Sequence, residues 1–261
     1  MTQLVVTLNE TRKGLLVMWD YRFSTMVDFV IIGLVFSGMM LFIGQGELQP
    51  DQLSSAMLGF LITFYVMETL NRMSWALMGE AQAGTLEQMY MSPVSSAYIL
   101  FGRALASFVV ATLSLLLIAP TLILAFDIEI SLPIASLPIF VITLVGVTGF
   151  GLMVAGMTIV FKQVGRIANL LSNTVLFVNG TFWPVEDMPD WLSSAARILP
   201  STQGIVALRQ IALDGQSLSA LWSDGTLVFL TVHSLAFLAF GWIIFRWCEN
   251  IARAHGSLGH Y

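Results

Sequence analysis

Few side chains in this sequence could do chemistry, and those that could lie in or beside long apolar stretches. The sequence holds no G-x-x-x-x-G-K-[ST] phosphate loop, no H-E-x-x-H zinc motif and no G-x-S-x-G nucleophile elbow. Its single cysteine, Cys248, can form neither an internal disulfide nor a C-x-x-C metal pair. The common signatures of ATP binding, zinc hydrolysis and serine hydrolysis are therefore missing from this sequence.

Polar residues inside apolar stretches are the remaining candidates for function. Glu68 lies four residues before Arg72, which fits either a structural ion pair or a polar point at the mouth of a substrate path. A second candidate is a stripe of amide and small side chains at helical spacing. Because amides are costly against lipid, this stripe must face protein or a wetted cavity. The candidate path residues are Glu68, Asn169, Asn173 and Asn179.

Two further ionisable residues lie in apolar stretches, and a structural role is the favoured interpretation for both. Asp28 follows Arg22 closely enough to pair with it, and a transport role is the alternative. For His233, a hydrogen bond to a neighbouring helix is favoured over a functional role.

The composition indicates that these residues are carried by membrane-spanning helices. The chain has 261 residues, of which 57% are hydrophobic and 10% charged, against about a quarter charged in soluble domains. A spanning helix needs roughly 20 apolar residues. The sequence predicts an all-α integral membrane protein with six transmembrane helices, at about residues 26–43, 53–75, 104–126, 133–161, 167–183 and 226–247.

The basic residues predict the orientation of these spans. Nine of the 11 lysines and arginines fall on one side of the predicted spans, and the loops on the other side are acidic. The side rich in lysine and arginine is cytoplasmic by the positive-inside rule. Both termini are therefore predicted to be cytoplasmic, and only Arg197 and Arg209 lie outside.

Three segments outside the spans have a helical pattern of their own. Residues 4–24 predict an amphipathic helix in the inner interface, with a loosely ordered tail as the alternative. Residues 185–223 predict two short outer helices, which either dip into the outer leaflet or rest on the surface. The polar stretch "GEAQAGTLEQMYMSP", residues 79–93, predicts a cytoplasmic helix that Pro93 ends. It fits a docking surface and an ordinary loop helix equally well.

The sequence from residue 79 to 103, "GEAQAGTLEQMYMSPVSSAYILFGR", resembles the permeases of type-2 ABC exporters. That family has an acidic residue before "GTLE", then a "P-[VI]-S" turn and a Gly-Lys or Gly-Arg pair. A second stretch, "FWPVEDMPDWLSSAARILPSTQGIVALRQ", is similar to the family's outer element after the fifth span. Ala81 stands where members commonly have a basic residue, which puts any salt bridge from that position in doubt.

The resemblance implies that residues 80–92 form a coupling helix that docks on a separate ATPase subunit. The residues that it assigns to this docking are Glu80, Gly84, Thr85, Leu86, Glu87, Met91 and Pro93. It implies one ABC type-2 transmembrane domain over residues 1–261, with the interfacial helix in 1–25, five spans in 26–184, the outer helices in 185–223, the sixth span in 224–247 and a cytoplasmic tail in 248–261.

The same resemblance implies how such a protein works. Two permease halves, identical or different, form the path, and two ATPase subunits bind ATP and Mg²⁺ and power alternating access in the inner membrane of a prokaryote. Membrane lipid is the other expected partner, and no nucleic acid is expected. The expected substrate is an amphipathic drug, a lipid or a lipid-linked compound. The alternatives are a polysaccharide or glycolipid exporter, and a membrane protein that is not coupled to ATP.

Overall fold

The structure is a computed structural model that describes residues 2–47, 49–82, 84, 96–161 and 164–254. Within these ranges every regular element is a helix. The elements are α1 (Thr2–Asp20), α2 (Arg22–Ile43), α3 (Pro50–Gln82), α4 (Ser96–Phe126), α5 (Ser136–Phe161), α6 (Val164–Val178), a short 3-10 helix (Val185–Asp187), α7 (Asp190–Ala196), α8 (Pro200–Ala212), α9 (Leu218–Ser223) and α10 (Thr226–Ala254).

Five of these helices, α2 to α5 and α10, are long and apolar enough to cross a membrane. They confirm an all-α, multi-pass architecture. The predicted fifth span extends too far, because its helix, α6, ends at Val178 and has 15 residues. At 1.5 Å per residue α6 is about 22 Å long, against about 30 Å of hydrocarbon. The structure therefore has five full-length candidate spans and one shorter apolar helix among the described residues.

Helix α3 is the centre of the bundle and packs against α4, α5 and α6. Its side-chain hydrogen bonds to α4 show that the two helices are antiparallel: Thr69 bonds Ser107, and Tyr65, earlier on α3, bonds Thr112, later on α4. We call the end of the bundle at which α3 ends and α4 begins the Gln82 end, and the opposite end, at which α3 begins, the Pro50 end.

Helices α5 and α10 run side by side with their backbones in close approach. A Cβ atom on Gly149 would lie 2.3 Å from the carbonyl oxygen of Phe237, and one on Gly241 would lie 1.9 Å from that of Gly149. No larger side chain fits at these two positions without moving a helix. Gly149, in the predicted fourth span, thus serves close helix packing.

Helix α1 lies along α4, where its Gly14 faces Ala106 and Val110. Near its C-terminal end, Trp19 is exposed, as is Phe23 just after it. Helix α2 is largely exposed in the isolated chain, and its buried residues Phe36 and Met40 pack into the bundle. The Phe36 ring lies edge-on to Phe60 of α3, with their centres 5.3 Å apart.

In the segment after α6, the longest helix, α8, does not rest on the surface. Helix α8 packs against α3, α5 and α10, and eight of its 13 residues are buried. Pro200, expected from its type to stop a helix, instead begins α8, because the first helical position needs no N–H donor. The apolar face of α8 is thus covered by the protein's own helices. In α7, Trp191 stays exposed.

Candidate functional site: a cavity between α2, α3 and α6

The ion pair predicted from sequence spacing is present on α3. The Arg72 guanidinium donates a hydrogen bond to Oε1 of Glu68, one helical turn earlier, and both side chains are partly buried. Asn71, between them in sequence, lies against the next helix, since Ser172 Oγ of α6 is 3.5 Å from Asn71 Oδ1. This polar part of α3 therefore faces α6.

The polar stripe of α6 meets α3 from the other side. Asn169 and Asn173 are exposed, whereas Ser172, between them, is 1% exposed and faces Asn71. The two asparagines therefore border open space, and the serine belongs to the helix contact. On the helix, Ser172 lies at one edge of this face and Asn173 at the other, so one edge touches α3 and the other borders open space.

A cavity of about 490 Å³ lies between α2, α3 and α6. This volume is in the usual range for small-molecule sites. Three of the four predicted path residues line it. Its charged and amide side chains are Asp28, Glu68, Asn71, Arg72, Asn169 and Asn173. The cavity therefore joins the α3 ion pair to the polar stripe of α6, as a substrate path would require.

The cavity is amphipathic along its length. On all three helices the polar residues lie toward the Gln82 end: Asp28 early on α2, Arg72 late on α3 and Asn169 early on α6. Phe29 and Trp75 add aromatic rings at the Gln82 end. Toward the Pro50 end the wall is largely aromatic, and there it includes Phe36, Phe60, Phe64 and Phe182. The cavity thus offers hydrogen bonds at one end and an apolar surface at the other.

The fourth predicted path residue, Asn179, lies elsewhere and is fully buried. Its Nδ2 donates to Thr63 Oγ1 at 2.6 Å, and its Oδ1 accepts from the backbone N–H of Thr181 at 3.2 Å and from the Thr181 hydroxyl at 2.7 Å. Gly180 has a φ of +87°, which a glycine adopts readily. These contacts end α6 and attach the following turn to α3.

Arg209 of α8 joins the same turn to the start of α3. Its guanidinium donates to the Thr181 carbonyl at 3.0 Å and to the Ser55 carbonyl at 3.0 and 3.2 Å. Burial lowers the pKa of Arg209 to about 10, and the charge of Glu186 partly offsets that effect. The side chain stays charged at neutral pH. Sequence reasoning missed this role, although an arginine on the acidic side of the chain was the available signal.

At the Gln82 end, Glu80 joins three helices. Its Oε1 accepts a hydrogen bond from Nη2 of Arg103 on α4 at 3.0 Å and lies 3.8 Å from Nζ of Lys13 on α1. Arg103 is 7% exposed, so the pair is largely shielded from water, whereas Lys13 is 64% exposed. Glu80 and Arg103 are both members of the quoted motif, and α3 and α4 bring them together.

Most of the predicted coupling helix lies outside the described residues. This applies to Thr85, Leu86, Glu87, Met91 and Pro93. Of the other two, Glu80 lies on the last turns of α3, and Gly84 has a φ of +68° just beyond the end of that helix. A left-handed residue ends a helix, so Glu80 belongs to α3 and not to a separate helix. The docking role of all seven residues stays a prediction.

The remaining ionisable candidate, His233 of α10, packs among rings. Its ring centre lies 5.5 Å from that of Phe229 and 5.0 Å from that of Phe237. Across the part of the chain that the structure describes, no group of three His, Cys, Asp or Glu side chains could hold a metal ion. The cavity between α2, α3 and α6 is therefore the candidate functional site.

Comparison with known proteins defines the class of this chain. A family model described as "ABC-2 type transporter" matches residues 2–213. The chain belongs to the ABC-2 type transporter family, and its apolar helices make it a multi-pass membrane protein.

The chain is similar to three transport proteins over part of their lengths. The probable multidrug ABC transporter permease YbhR of Escherichia coli K12 is 28% identical over 149 residues, which are 56% of this chain and 40% of the relative. The linearmycin resistance permease protein LnrN of Bacillus subtilis is 26% identical over 167 residues, 64% of this chain and 43% of the relative. ABC transporter G family member 20 of Dictyostelium discoideum is 26% identical over 159 residues, 60% of this chain and 22% of the relative. The chain thus spans less than half of each relative.

Proposed function

We propose that this protein is the permease half of an ATP-driven ABC exporter that moves an amphipathic drug-like, lipid or lipid-linked substrate out of the cytoplasm or the inner leaflet. The observation that carries the proposal is the amphipathic cavity between α2, α3 and α6. Helix α3 forms one wall of the cavity and continues into the predicted coupling segment. Movement of that segment would therefore be transmitted directly to the cavity wall. The names of the bacterial relatives, a multidrug permease and a linearmycin resistance permease, point to the same class of substrate.

The working assembly has two permease halves and two ATPase subunits, which bind ATP and Mg²⁺. One chain contributes too few helices to enclose a path, and the largely exposed α2 leaves one side of the cavity thinly covered. Helix α6 and the turn that follows it form the sixth crossing. Both termini and the Gln82 end face the cytoplasm of a prokaryotic cell, with the protein in its inner membrane. ATP binding moves the coupling segments and opens the path outward.

The test uses the protein reconstituted with its ATPase in lipid vesicles. Gly84→Pro should abolish most of the substrate-stimulated ATP hydrolysis, because proline cannot adopt a φ of +68°. Gly215→Pro is the matched control: Gly215 has a φ of +66°, and like Gly84 it has open space around it, but it lies beyond α8 at the Pro50 end. Equal loss in both variants, or loss in neither, would contradict a coupling role for the segment.

Glu87→Lys tests the docking charge separately. It should weaken association with the ATPase while leaving membrane insertion intact, because it reverses a charge at the proposed contact. Co-purification of the two subunits measures this. If wild-type amounts of ATPase co-purify and hydrolysis remains substrate-stimulated, Glu87 takes no part in docking. If no ATPase associates even with the wild-type protein, the chain is a membrane protein that is not coupled to ATP.

A further inference from the structure

The charges inside the cavity are not balanced, and this bears on which substrates it accepts. Three charged side chains line it: Asp28, Glu68 and Arg72. Glu68 and Arg72 are paired with each other. The carboxylate of Asp28 is left as the net charge of the described cavity wall.

Among the described residues, the Asp28 carboxylate contributes no polar contact that stabilises the fold. Arg22, its expected partner, instead donates to the carbonyl oxygen of Trp19 at 3.5 Å, with its guanidinium carbon 5.9 Å from the centre of the Trp19 ring. Across residues 2–47, 49–82, 84, 96–161 and 164–254, no ion pair or hydrogen bond of the Asp28 side chain is found. An ionised side chain in a spanning helix is costly, so an unpaired carboxylate there marks a candidate functional site.

The rest of the wall suits the body of an organic cation. Phe36 lies 5.3 Å from Phe60 and 6.2 Å from Phe182, centre to centre, and Phe64 lies 6.0 Å from Phe60. Their rings form the apolar end of the cavity, beyond the polar end that holds Asp28. Aromatic rings bury apolar groups, and their negative faces attract cations and repel anions.

We propose that this cavity selects amphipathic monocations with an aromatic body, and that Asp28 is the residue that sets the preference for positive charge. The inference rests on the proposed function, because it names the substrate class of the same cavity. The cation's charge lies beside Asp28, and its apolar groups lie among the phenylalanines. Asn169 and Asn173 accept hydrogen bonds from substrates that have donors. The Glu68–Arg72 pair, neutral as a whole, leaves this preference intact.

The test compares two probes of nearly the same shape and opposite charge. Tetraphenylphosphonium and tetraphenylborate are titrated against the purified protein with its ATPase in lipid nanodiscs, and binding to empty nanodiscs is subtracted. Each probe is compared between wild type and variant, so that its partitioning into lipid cancels. Asp28→Asn should weaken the binding of tetraphenylphosphonium about tenfold and leave that of tetraphenylborate unchanged or tighter.

Two further variants distinguish a charge effect from damage to the fold. Asp28→Glu keeps the carboxylate and should keep the preference for the cation. Asp51→Asn removes the same charge at the first turn of α3, about 25 Å along the helix from Glu68, and should leave both affinities unchanged. The inference is overturned if Asp51→Asn has the same effect as Asp28→Asn, or if wild type binds tetraphenylborate as well as it binds tetraphenylphosphonium.

Equilibrium binding separates this inference from the proposed function. If Asp28 controls cation binding but no compound stimulates ATP hydrolysis or crosses the vesicle membrane, the exporter assignment fails and the cavity assignment stands. If neutral compounds stimulate hydrolysis and Asp28→Asn alters no affinity, the exporter assignment stands and the charge preference is refuted.

Discussion

The guanidinium of Arg103 donates a hydrogen bond to the carboxylate of Glu80 across 3.0 Å, and this pair ties the end of α3 to the start of α4. Glu80 is the first residue of the predicted coupling segment, and Arg103 follows that segment on α4. The two helices that enter and leave that segment are therefore held together at its base. Force applied to the segment would move α3 and α4 as one body, together with the cavity wall that α3 carries.

Arg103→Ala should lower the stability of the protein by about 3 kcal/mol, because it removes a hydrogen-bonded ion pair that is largely shielded from water. Lys13→Ala is the control on the same carboxylate. Lys13 is more exposed and more distant, so its loss should cost less than about 1 kcal/mol. Thermal unfolding of the purified variants measures both. Equal losses would mean that burial does not determine how much each partner of Glu80 contributes to stability.

Asn173 and Asn179, two asparagines of the predicted polar stripe, should respond in opposite ways. Asn173→Leu should change the substrate profile and alter stability by less than about 0.5 kcal/mol, because Asn173 is exposed in the cavity. Asn179→Ala should cost about 2 kcal/mol, because it removes the acceptor of Thr181 and the donor to Thr63. Melting temperature and substrate-stimulated hydrolysis are measured on the same samples. If Asn173→Leu lowers stability and leaves the substrate profile unchanged, Asn173 has a structural role and does not contact substrate.

Gly149→Ala should destabilise the protein by roughly 1–3 kcal/mol, since the added methyl group would overlap the Phe237 carbonyl and force α5 and α10 apart. Gly38→Ala on α2 is the matched control. A Cβ at Gly38 meets nothing within 4 Å, so this change should be neutral or slightly stabilising through helix propensity. Thermal unfolding again provides the measurement, and a neutral Gly149→Ala would refute the close α5–α10 contact.

Cysteine labelling tests the orientation. After Cys248→Ser, Gln49→Cys and Gln216→Cys should react with an impermeant thiol reagent added to intact cells, because both lie at the Pro50 end, the proposed outer side. Gln88→Cys should react only after the membrane is permeabilised. Reaction of Gln88→Cys in intact cells would overturn the orientation and the docking proposal with it.

The overall architecture was predictable because few backbone structures can span the hydrocarbon of a lipid bilayer. Backbone groups must be paired within each segment, so apolar stretches of sufficient length become helices, and the predicted spans at 26–43, 53–75, 104–126, 133–161 and 226–247 each match a long helix. The Glu68–Arg72 pair was equally predictable, because it depends only on the geometry of one helix.

Asn169, Asn173 and Asn179 show what only the tertiary structure decided. They share one helical face in the sequence, yet two line a cavity and the third is buried in hydrogen bonds. Helical periodicity holds only while the helix continues, and α6 ends at Val178. Where it ends depends on the hydrogen bond between Asn179 and Thr63, and no local pattern reports that contact, because 116 positions separate the two residues.

The charged residues also separate what the sequence predicted from what only the tertiary structure decided. The count of basic residues predicted an orientation and marked Arg209 as an exception, but its contacts with the carbonyls of Ser55 and Thr181 follow from where α8 packs. Likewise, proximity in sequence suggested that Asp28 pairs with Arg22, whereas Arg22 contacts Trp19. The sequence by itself determined which segments enter the membrane, since burial of each segment depends on its own composition. The tertiary structure alone decided which polar groups satisfy one another and which remain for a ligand, because that depends on contacts between distant segments.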